Sequence, residues 1–219
     1  MHEKVFCVMP TRTSPDVEAW NHMGRAASVY GAPMTVQPGQ PRDFNRNRCV
    51  ALFLEDNRDW LFFVDDDTTI PDDAIAKLLA VGKPIVSGVQ PLWLTGQLVA
   101  NVKLEDGPDG PFPWPDWVTW NRPAEPFRIG YCGFGCILIH RSVLVDIGYP
   151  WFVESYGDVW GKDNKTEDID FCQKATKAGY EIWCEPTVEC GHFKKVDLRK
   201  WIPRSQLNLT VTRPTTAGE

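Results

Sequence analysis

The sequence lacks the features of membrane-spanning and exported proteins. Its uninterrupted apolar runs, such as residues 60–64, span only a few residues, whereas a membrane-spanning helix needs about 20 apolar residues. The chain begins Met-His-Glu-Lys and runs directly into a strand-like segment, which leaves no room for the apolar core of a secretory signal. We therefore expect no transmembrane segment and a cytoplasmic location.

The sequence also lacks an excess of basic residues and an internal repeat. Its 23 Lys and Arg face 29 Asp and Glu, for a formal charge of −6. Because proteins that bind a nucleic-acid duplex usually carry a basic face, nucleic acid is possible as an acceptor but is not favoured as a partner. The 7 cysteines are an odd number, which favours buried, reduced thiols over a disulfide framework.

What the sequence does contain is an alternation of short apolar strands and helices. With 219 residues of which 43% are hydrophobic, it can build one domain over residues 1–209, followed by a flexible tail at 210–219. Strands are expected at residues 4–9, 33–36, 60–64, 84–88, 136–140 and 181–185, and helices at 14–30, 44–55, 71–79, 141–147 and 167–178. Such alternation predicts an α/β fold with a mostly parallel sheet that binds ligands at the carboxyl ends of its strands.

The two halves of the chain differ in character. Residues 1–90 carry the βαβ pattern of a nucleotide-binding half. Residues 91–209 begin with a segment rich in proline, glycine and tryptophan, which predicts a small antiparallel excursion on the acceptor side.

Three consecutive aspartates, Asp65, Asp66 and Asp67, follow the apolar strand 60–64. Adjacent carboxylates repel one another and are costly to bury unless a cation is supplied. Along an extended strand Asp65 and Asp67 would face one way and Asp66 the other, which gives an oxygen site for Mg²⁺ or Mn²⁺ that can bridge to a diphosphate. The alternative is a solvated acidic turn before the next helix.

An apolar strand ending in Asp-x-Asp resembles the metal-binding strand of the GT-A glycosyltransferases. Asp65-x-Asp67-x-Thr69 also fits the haloacid-dehalogenase-like phosphatases, in which the first aspartate, here Asp65, is a nucleophile. Those phosphatases usually carry the motif on their first strand, whereas a βαβ unit and a second helix precede it here. The position of the motif therefore favours the transferase.

Further short motifs follow in the order found in glycosyltransferase family 2 and its relatives, over about residues 4 to 193. They are the first strand and loop (Val8-Met9-Pro10-Thr11-Arg12), an "RN" motif (Arg46-Asn47-Arg48), a core strand (residues 83–88), an acceptor-side turn (Gly133-Phe134-Gly135), a late acidic motif (Glu167-Asp168-Ile169-Asp170-Phe171) and His192.

This resemblance implies a GT-A-like catalytic domain and a role for each matching residue. Asp168, with Glu167, would be catalytic, Asp168 as the general base. Asp65, Asp67 and His192 would hold Mn²⁺ or Mg²⁺. The nucleotide sugar would be bound by Pro10, Thr11, Arg12, Arg46, Asp65 and Asp66, and the acceptor by Trp93, Trp117, Gly133, Phe134 and Gly135.

The reaction implied is transfer of one sugar of hexose type from a UDP-, GDP- or dTDP-sugar to a glycan, small-molecule or macromolecular acceptor. The chain lacks the Gln-x-x-Arg-Trp motif of the processive synthases, which favours single transfer over polymer synthesis, and the resemblance favours inversion. A carbohydrate-binding protein without turnover is a further alternative.

Several residues also have structural explanations. Glu167 and Asp168 follow Thr166, at a position where acids stabilise the start of a helix. The alternative for His192 is an ordinary core or surface histidine. The tryptophans Trp114, Trp117 and Trp120 either line an acceptor site or pack under a loop. A zinc cluster of Cys132, Cys136, Cys184, Cys190 and His192 is disfavoured by its spacing. The basic residues Lys194, Lys195, Arg199, Lys200 and Arg204 form a solvated helix face or contact a membrane or acidic partner.

Overall fold

The computed structural model describes residues 4–94, 96–105, 114–157 and 164–194. The helices are α1 (Val17–Tyr30), α2 (Arg42–Glu55), α3 (Ala74–Ala80), α4 (Arg141–Ile147) and α5 (Glu167–Lys177). The strands are β1 (Val5–Thr11), β2 (Met34–Pro38), β3 (Trp60–Val64), β4 (Thr68–Thr69), β5 (Ile85–Val89), β6 (Pro91–Leu94), β7 (Gln97–Ala100), β8 (Val102–Leu104), β9 (Phe127–Cys132), β10 (Cys136–His140), β11 (Ile182–Glu189) and β12 (Gly191–His192).

An 8-stranded sheet in the order β2-β1-β3-β10-β5-β11-β9-β8 forms the centre of the molecule. β1 pairs in parallel with β2 and β3, and β5 with β11. Only β10 and β9 run against the other strands of this sheet, since each pairs antiparallel with both of its neighbours. The predicted α/β class with a mostly parallel sheet is confirmed.

The sheet separates two apolar cores, which explains the sequence of its central strands. In β3 the residues Leu61, Phe62, Phe63 and Val64 are all fully buried, because a strand covered on both faces needs apolar side chains at every position. Phe63 packs in the core that contains Phe53, Phe134, Phe152 and Phe171. Phe62 packs on the other side with Met9, Met23 and Leu78.

The helix ends lie within one residue of the predicted ones, but three starts are shifted: α1 begins at Val17 instead of residue 14, α2 at Arg42 instead of residue 44, and α3 at Ala74 instead of residue 71. The N-cap of α1 is Asp16, whose carboxylate accepts a hydrogen bond from the Glu18 amide at 2.9 Å, and not Ser14 as predicted. The predicted stop at Gly31 is confirmed, because this residue has a φ of 78°, in the left-handed region that glycine adopts without a steric cost.

The second half of the chain forms the predicted antiparallel excursion. β6 and β7 make a separate two-stranded sheet, while β8 and β9 extend the edge of the central sheet. β11 is longer than predicted and ends at Glu189. In the described part of the chain, no helix is long and apolar enough to cross a membrane. The predicted tail at 210–219 and the basic residues beyond Lys194 lie outside the described residues, and the single-domain division and cytoplasmic location stay predictions.

Candidate active site

A cavity of about 450 Å³ opens at the carboxyl ends of β1 and β3. The chain moves from β1 outward to β2 and then returns to place β3 on the other side of β1. Such a reversal leaves a crevice between the strand ends, where open α/β sheets bind their ligands. Most of the predicted site residues line this cavity: Pro10, Thr11, Arg12, Arg46, Asp65, Asp66, Asp67, Gly133, Phe134, Gly135, Glu167, Asp168 and His192.

The three aspartates form a turn instead of continuing the strand. β3 ends at Val64, and the Thr68 amide donates a hydrogen bond of 3.1 Å to the Asp65 carbonyl. The predicted alternation of the three side chains assumed an extended strand and does not apply to a turn. All three residues line the cavity, but each carboxylate has a different partner; Asp66 accepts a hydrogen bond of 2.5 Å from the Thr11 hydroxyl.

Asp65 belongs to a group with Arg46 and Glu167, which we call the Arg46 corner. The guanidinium of Arg46, on α2, donates to Asp65 Oδ1 at 2.8 Å through Nη2 and to Glu167 Oε1 at 3.2 Å through Nε. It also lies 5.3 Å from the centre of the Phe134 ring. The side chains of Arg46 and Glu167 are only 7% and 3% exposed, and that of Asp65 is 28% exposed, so this corner is a largely buried charge network.

The electrostatics of the Arg46 corner follow from that burial. Burial would lower the pKa of Arg46, but the carboxylates of Asp65, Glu167 and Asp168 outweigh it and raise the pKa above its ordinary value. Burial raises the pKa of Asp65 to about 6, against the opposing effect of Arg46.

Asp67 belongs to a second group with His192 and Lys194, which we call the Lys194 corner. A short pairing of β12 with β4 places His192 opposite Thr68, and the Phe193 amide donates to the Asp67 carbonyl at 2.8 Å. Asp67 Oδ2 lies 3.3 Å from His192 Nε2 and 2.7 Å from Lys194 Nζ. Burial works to raise the pKa of Asp67, but the contacts with His192 and Lys194 outweigh it and lower the pKa to about 2.

The ring of His192 is oriented by its second nitrogen. His192 Nδ1 lies 2.9 Å from the carbonyl oxygen of Pro91. A carbonyl only accepts, so Nδ1 carries a hydrogen, and a neutral ring turns the lone pair of Nε2 toward Asp67. A lone pair facing a carboxylate calls for a cation between them, either a proton on Nε2 or a metal ion.

The Lys194 corner therefore fits a divalent metal ion. Neighbouring donors of an octahedral ion with bonds of about 2.1 Å lie about 3 Å apart, close to the 3.3 Å between Asp67 Oδ2 and His192 Nε2. Mg²⁺ sites commonly use one or two protein ligands and complete the shell with phosphate oxygens and water. Within the described ranges no three His, Cys, Asp or Glu side chains are grouped closely enough to hold a metal. Asp65 therefore does not form a three-ligand group with Asp67 and His192, and the cysteines do not form the disfavoured zinc cluster.

Asp168 presents a carboxylate to the cavity from the first turn of α5. Its Oδ1 accepts hydrogen bonds from the Ile169 amide at 2.8 Å and from the Thr166 hydroxyl. A side-chain carbon at Gly133 would lie 3.8 Å from Asp168 Oδ2, so this glycine leaves space beside that oxygen. Burial raises the pKa of Asp168, and the hydrogen bond from Thr166 only partly offsets it.

The predicted acceptor residues are placed in different surroundings. Gly133 and Gly135 line the cavity, and a side-chain carbon at Gly135 would come within 2.1 Å of Gln90 Oε1, so a larger residue at this position would have to displace the side chain of Gln90. The Phe134 ring is 1% exposed and belongs to the core.

The two predicted acceptor tryptophans do not line the cavity. Leu92 does, and because side chains alternate along β6, its neighbour Trp93 faces away and is 52% exposed. Trp117 packs against the core and lies 4.5 Å from the guanidinium of Arg122.

Sequence reasoning missed several residues of the cavity wall. They are Gln90, Leu92, Asn101, Arg42 and Asn45, together with Trp114 and Lys194, which were each named within a larger group but not assigned to the site. Gln90, Asn101 and Lys194 sit in loops next to strand ends with no motif around them, whereas Arg42 and Asn45 lie at the start of α2. Gln90 could have been predicted, because it directly follows β5 at the carboxyl edge of the sheet.

Comparisons with known proteins decide the fold. No family model matches the sequence, and neither does any curated protein. Among solved structures, A197 from STIV matches with a TM-score of 0.61 at 18% identity, over 88% of this chain and 86% of that chain. GalNAc-T7, crystallised with UDP, GalNAc and Mn²⁺, matches with a TM-score of 0.53 at 11% identity, over 89% of this chain.

The chain has a GT-A-like fold. The predicted fold is thereby confirmed. The chain spans 44% of the length of GalNAc-T7, and at these identities the likeness concerns the fold alone.

Proposed function

We propose that this protein is a metal-dependent glycosyltransferase that moves one sugar, of hexose type, from a nucleoside-diphosphate sugar to an acceptor hydroxyl with inversion. The observation that carries the proposal is the Lys194 corner. Asp67 and a suitably oriented His192 lie 3.3 Å apart in a cavity at the switch point of a GT-A-like sheet. The alternative, an aspartyl phosphatase with Asp65 as nucleophile, is less well supported, because the fold is GT-A-like and Asp65 is engaged by Arg46.

The donor would bind along the ends of β1 and β3. Pro10, Thr11 and the exposed Arg12 line this side of the cavity, where a guanidinium can pair with phosphate or with a base edge. The GalNAc-T7 structure, which holds UDP and Mn²⁺ in the same type of fold, supports a nucleoside-diphosphate donor. UDP-, GDP- and dTDP-sugars are the candidates.

Asp67 and His192 would hold Mn²⁺ or Mg²⁺. When bound, the ion supplies positive charge to offset the charge that develops on the leaving diphosphate. In this proposal Asp65 is not a metal ligand and Glu167 is not a catalytic residue. Both hold Arg46, whose guanidinium adds positive charge on the other side of the cavity, so both are positioning residues.

Asp168 would act as the general base. The acceptor hydroxyl passes its proton to Asp168 while its oxygen bonds to the anomeric carbon of the sugar. The bond from that carbon to the diphosphate oxygen breaks, and its electron pair leaves with the nucleoside diphosphate. A pKa above the usual range, which burial gives to Asp168, improves a carboxylate as a proton acceptor.

The acceptor would enter between Gly133 and Trp114. Gly133 leaves space beside Asp168 Oδ2, and Trp114 is the tryptophan that lines the cavity among the described residues. Aromatic rings pack well against the apolar faces of sugars, which favours a glycan, although a small molecule or another macromolecule fits the same chemistry and nucleic acid stays disfavoured.

The test is a screen of UDP-, GDP- and dTDP-sugars for release of nucleoside diphosphate, with and without Mn²⁺. We expect Mn²⁺-dependent release from one donor class by the wild-type chain and its loss in Asp67→Asn. Asp72→Asn is the matched control, since Asp72 is a surface acid paired with Arg25. Turnover of p-nitrophenyl phosphate that depends on Asp65 would favour the phosphatase, and saturable glycan binding without turnover would favour a binding protein.

A further inference from the structure

The ammonium group of Lys194 is paired with the same Asp67 carboxylate oxygen that a metal ion would bind. Its Nζ lies 2.7 Å from Asp67 Oδ2, the oxygen that His192 Nε2 approaches to 3.3 Å. A divalent ion bonded to that oxygen at about 2.1 Å would lie within a few ångströms of the ammonium group. Two cations so close together repel strongly, so the ammonium has to leave when the ion arrives.

We propose that Lys194 is a resident counter-ion of Asp67, which is exchanged for the divalent ion and then binds the diphosphate of the donor. This inference rests on the proposed function and adds to it a diphosphate-binding residue. No covalent step is involved: Lys194 gives up one anionic partner, the Asp67 carboxylate, and takes another, a phosphate oxygen.

The surroundings of Lys194 allow it to move. Its side chain is 51% exposed, compared with 7% for Arg46. An exposed ion pair contributes little net free energy and is easily exchanged, and the lysine ammonium sits on a flexible four-carbon stem.

The backbone of the same segment is held in place. The Phe193 amide donates to the Asp67 carbonyl at 2.8 Å, and β12 pairs with β4. A released Lys194 side chain therefore stays attached next to the three aspartates, on the wall of the cavity. Because the lysine side chain has a limited length, its ammonium group can contact only groups that are bound near Asp67.

The charge balance of the cavity favours a diphosphate as the second partner. Arg46 is committed to Asp65 and Glu167 and cannot follow a ligand without leaving those carboxylates unpaired. Lys194 loses its partner at the same moment that a metal-bound diphosphate brings additional negative charge. Its positive charge is then best neutralised by the phosphate oxygens.

The test measures Mn²⁺ binding directly, from the electron paramagnetic resonance signal of free Mn²⁺, and uses pyrophosphate as the diphosphate probe. Without pyrophosphate, Lys194→Met should bind Mn²⁺ about two- to fivefold more tightly than the wild type, because the competing ammonium is gone. At saturating Mn²⁺, calorimetry should show pyrophosphate binding to Lys194→Met weakened by a similar factor. Effects of opposite sign from one substitution are not expected of a merely structural residue.

Two further variants serve as controls. Lys194→Arg keeps the charge and should leave Mn²⁺ affinity closer to the wild type than Lys194→Met does. Lys83→Met removes a similarly exposed lysine, paired with Glu181 at 3.3 Å, from a position outside the cavity lining, and should change neither measurement.

The outcomes separate this inference from the proposed function. If Asp67→Asn abolishes Mn²⁺ binding but Lys194→Met binds Mn²⁺ no more tightly than the wild type, Lys194 is not a competitor and the metal site stands. Unchanged pyrophosphate binding in Lys194→Met would overturn its second role. If no variant binds Mn²⁺ even with pyrophosphate, both the inference and the metal requirement of the proposed function are wrong.

Discussion

Asp65 and Asp67 lie two residues apart in one turn, and each has a cationic partner at almost the same distance. Arg46 Nη2 is 2.8 Å from Asp65 Oδ1, and Lys194 Nζ is 2.7 Å from Asp67 Oδ2. The partners differ in exposure, at 7% for the Arg46 side chain and 51% for that of Lys194. Distance alone therefore does not distinguish a structural ion pair from a replaceable one, whereas the burial of the partner does.

The two corners have different roles in the cavity. The Arg46 corner is a buried network in which removing one member leaves unpaired charges, so it holds the cavity wall in shape. The Lys194 corner can exchange its cation, which a metal site requires. Asp168 lies beside the Arg46 corner and feels its charge, but it faces the cavity and belongs to neither ion pair.

The largest effect is expected at Asp168. Asp168→Asn keeps the shape of the side chain but removes the proton acceptor, and losses of about 10²- to 10⁴-fold are typical when a general base is removed. The turnover number for sugar transfer, measured with the donor found by the screen, should fall by this amount with little change in stability. Asp146→Asn, on the exposed surface of α4, is the control, and equal activity of the two variants would refute the assignment of the base.

Removal of Arg46 should be the next largest effect, this time on stability. Arg46→Met leaves Asp65 and Glu167 without their buried partner, and breaking a buried ion pair in this way costs about 3–5 kcal/mol. Chemical denaturation should show that loss in the free energy of unfolding. Arg48→Met removes an exposed arginine from the same helix and should cost less than about 1 kcal/mol; similar losses for both variants would contradict the comparison.

The pH dependence of turnover sharpens the contrast between the acids of the cavity. A general base must be deprotonated, and burial raises the pKa of Asp168 above its ordinary value. Activity should therefore decline on the acid side at a higher pH than the about 3.9 of a free aspartate. Asp67, with a pKa lowered to about 2, stays ionised over that range and does not contribute, whereas Asp65, with a pKa of about 6, also titrates within it. A profile of kcat/KM between pH 4 and 9 that stays flat would be incompatible with this role of Asp168.

The smallest effect is expected for the stability of the Lys194 variant. Because the Lys194 side chain is half exposed, Lys194→Met should change the free energy of unfolding by less than about 1 kcal/mol. The loss expected for Arg46→Met is about 3–5 kcal/mol. A loss as large as that of Arg46→Met would mean that Lys194 is a structural residue.

Local patterns were sufficient to predict most of the fold. The continuous apolar run of β3, Gly31 after α1 and the acids at the start of α5 are signals contained in a few neighbouring residues. The carboxyl ends of the strands then indicated where the motifs would meet, which is why most of the predicted site residues line one cavity.

Partner choice could not be predicted in the same way. Arg46 and Glu167 are 121 residues apart in the sequence, and Lys194 and Asp67 are 127 apart, so no local pattern reports that they pair. The strands β4 and β12, which bring His192 to Asp67, have only 2 residues each, too few for an alternating pattern. Trp93 was chosen for its chemistry, and only the position of β6 shows that it faces away from the cavity.

The most direct test of the central claim is a crystal structure grown with Mn²⁺ and the nucleoside diphosphate released in the screen, measured for anomalous scattering at the manganese edge. The account predicts one manganese peak about 2.1 Å from Asp67 and His192, a diphosphate on the same ion and the Lys194 ammonium on a phosphate oxygen instead of on Asp67. A nucleotide bound in the cavity with Lys194 still on Asp67, or a manganese peak elsewhere, would contradict it.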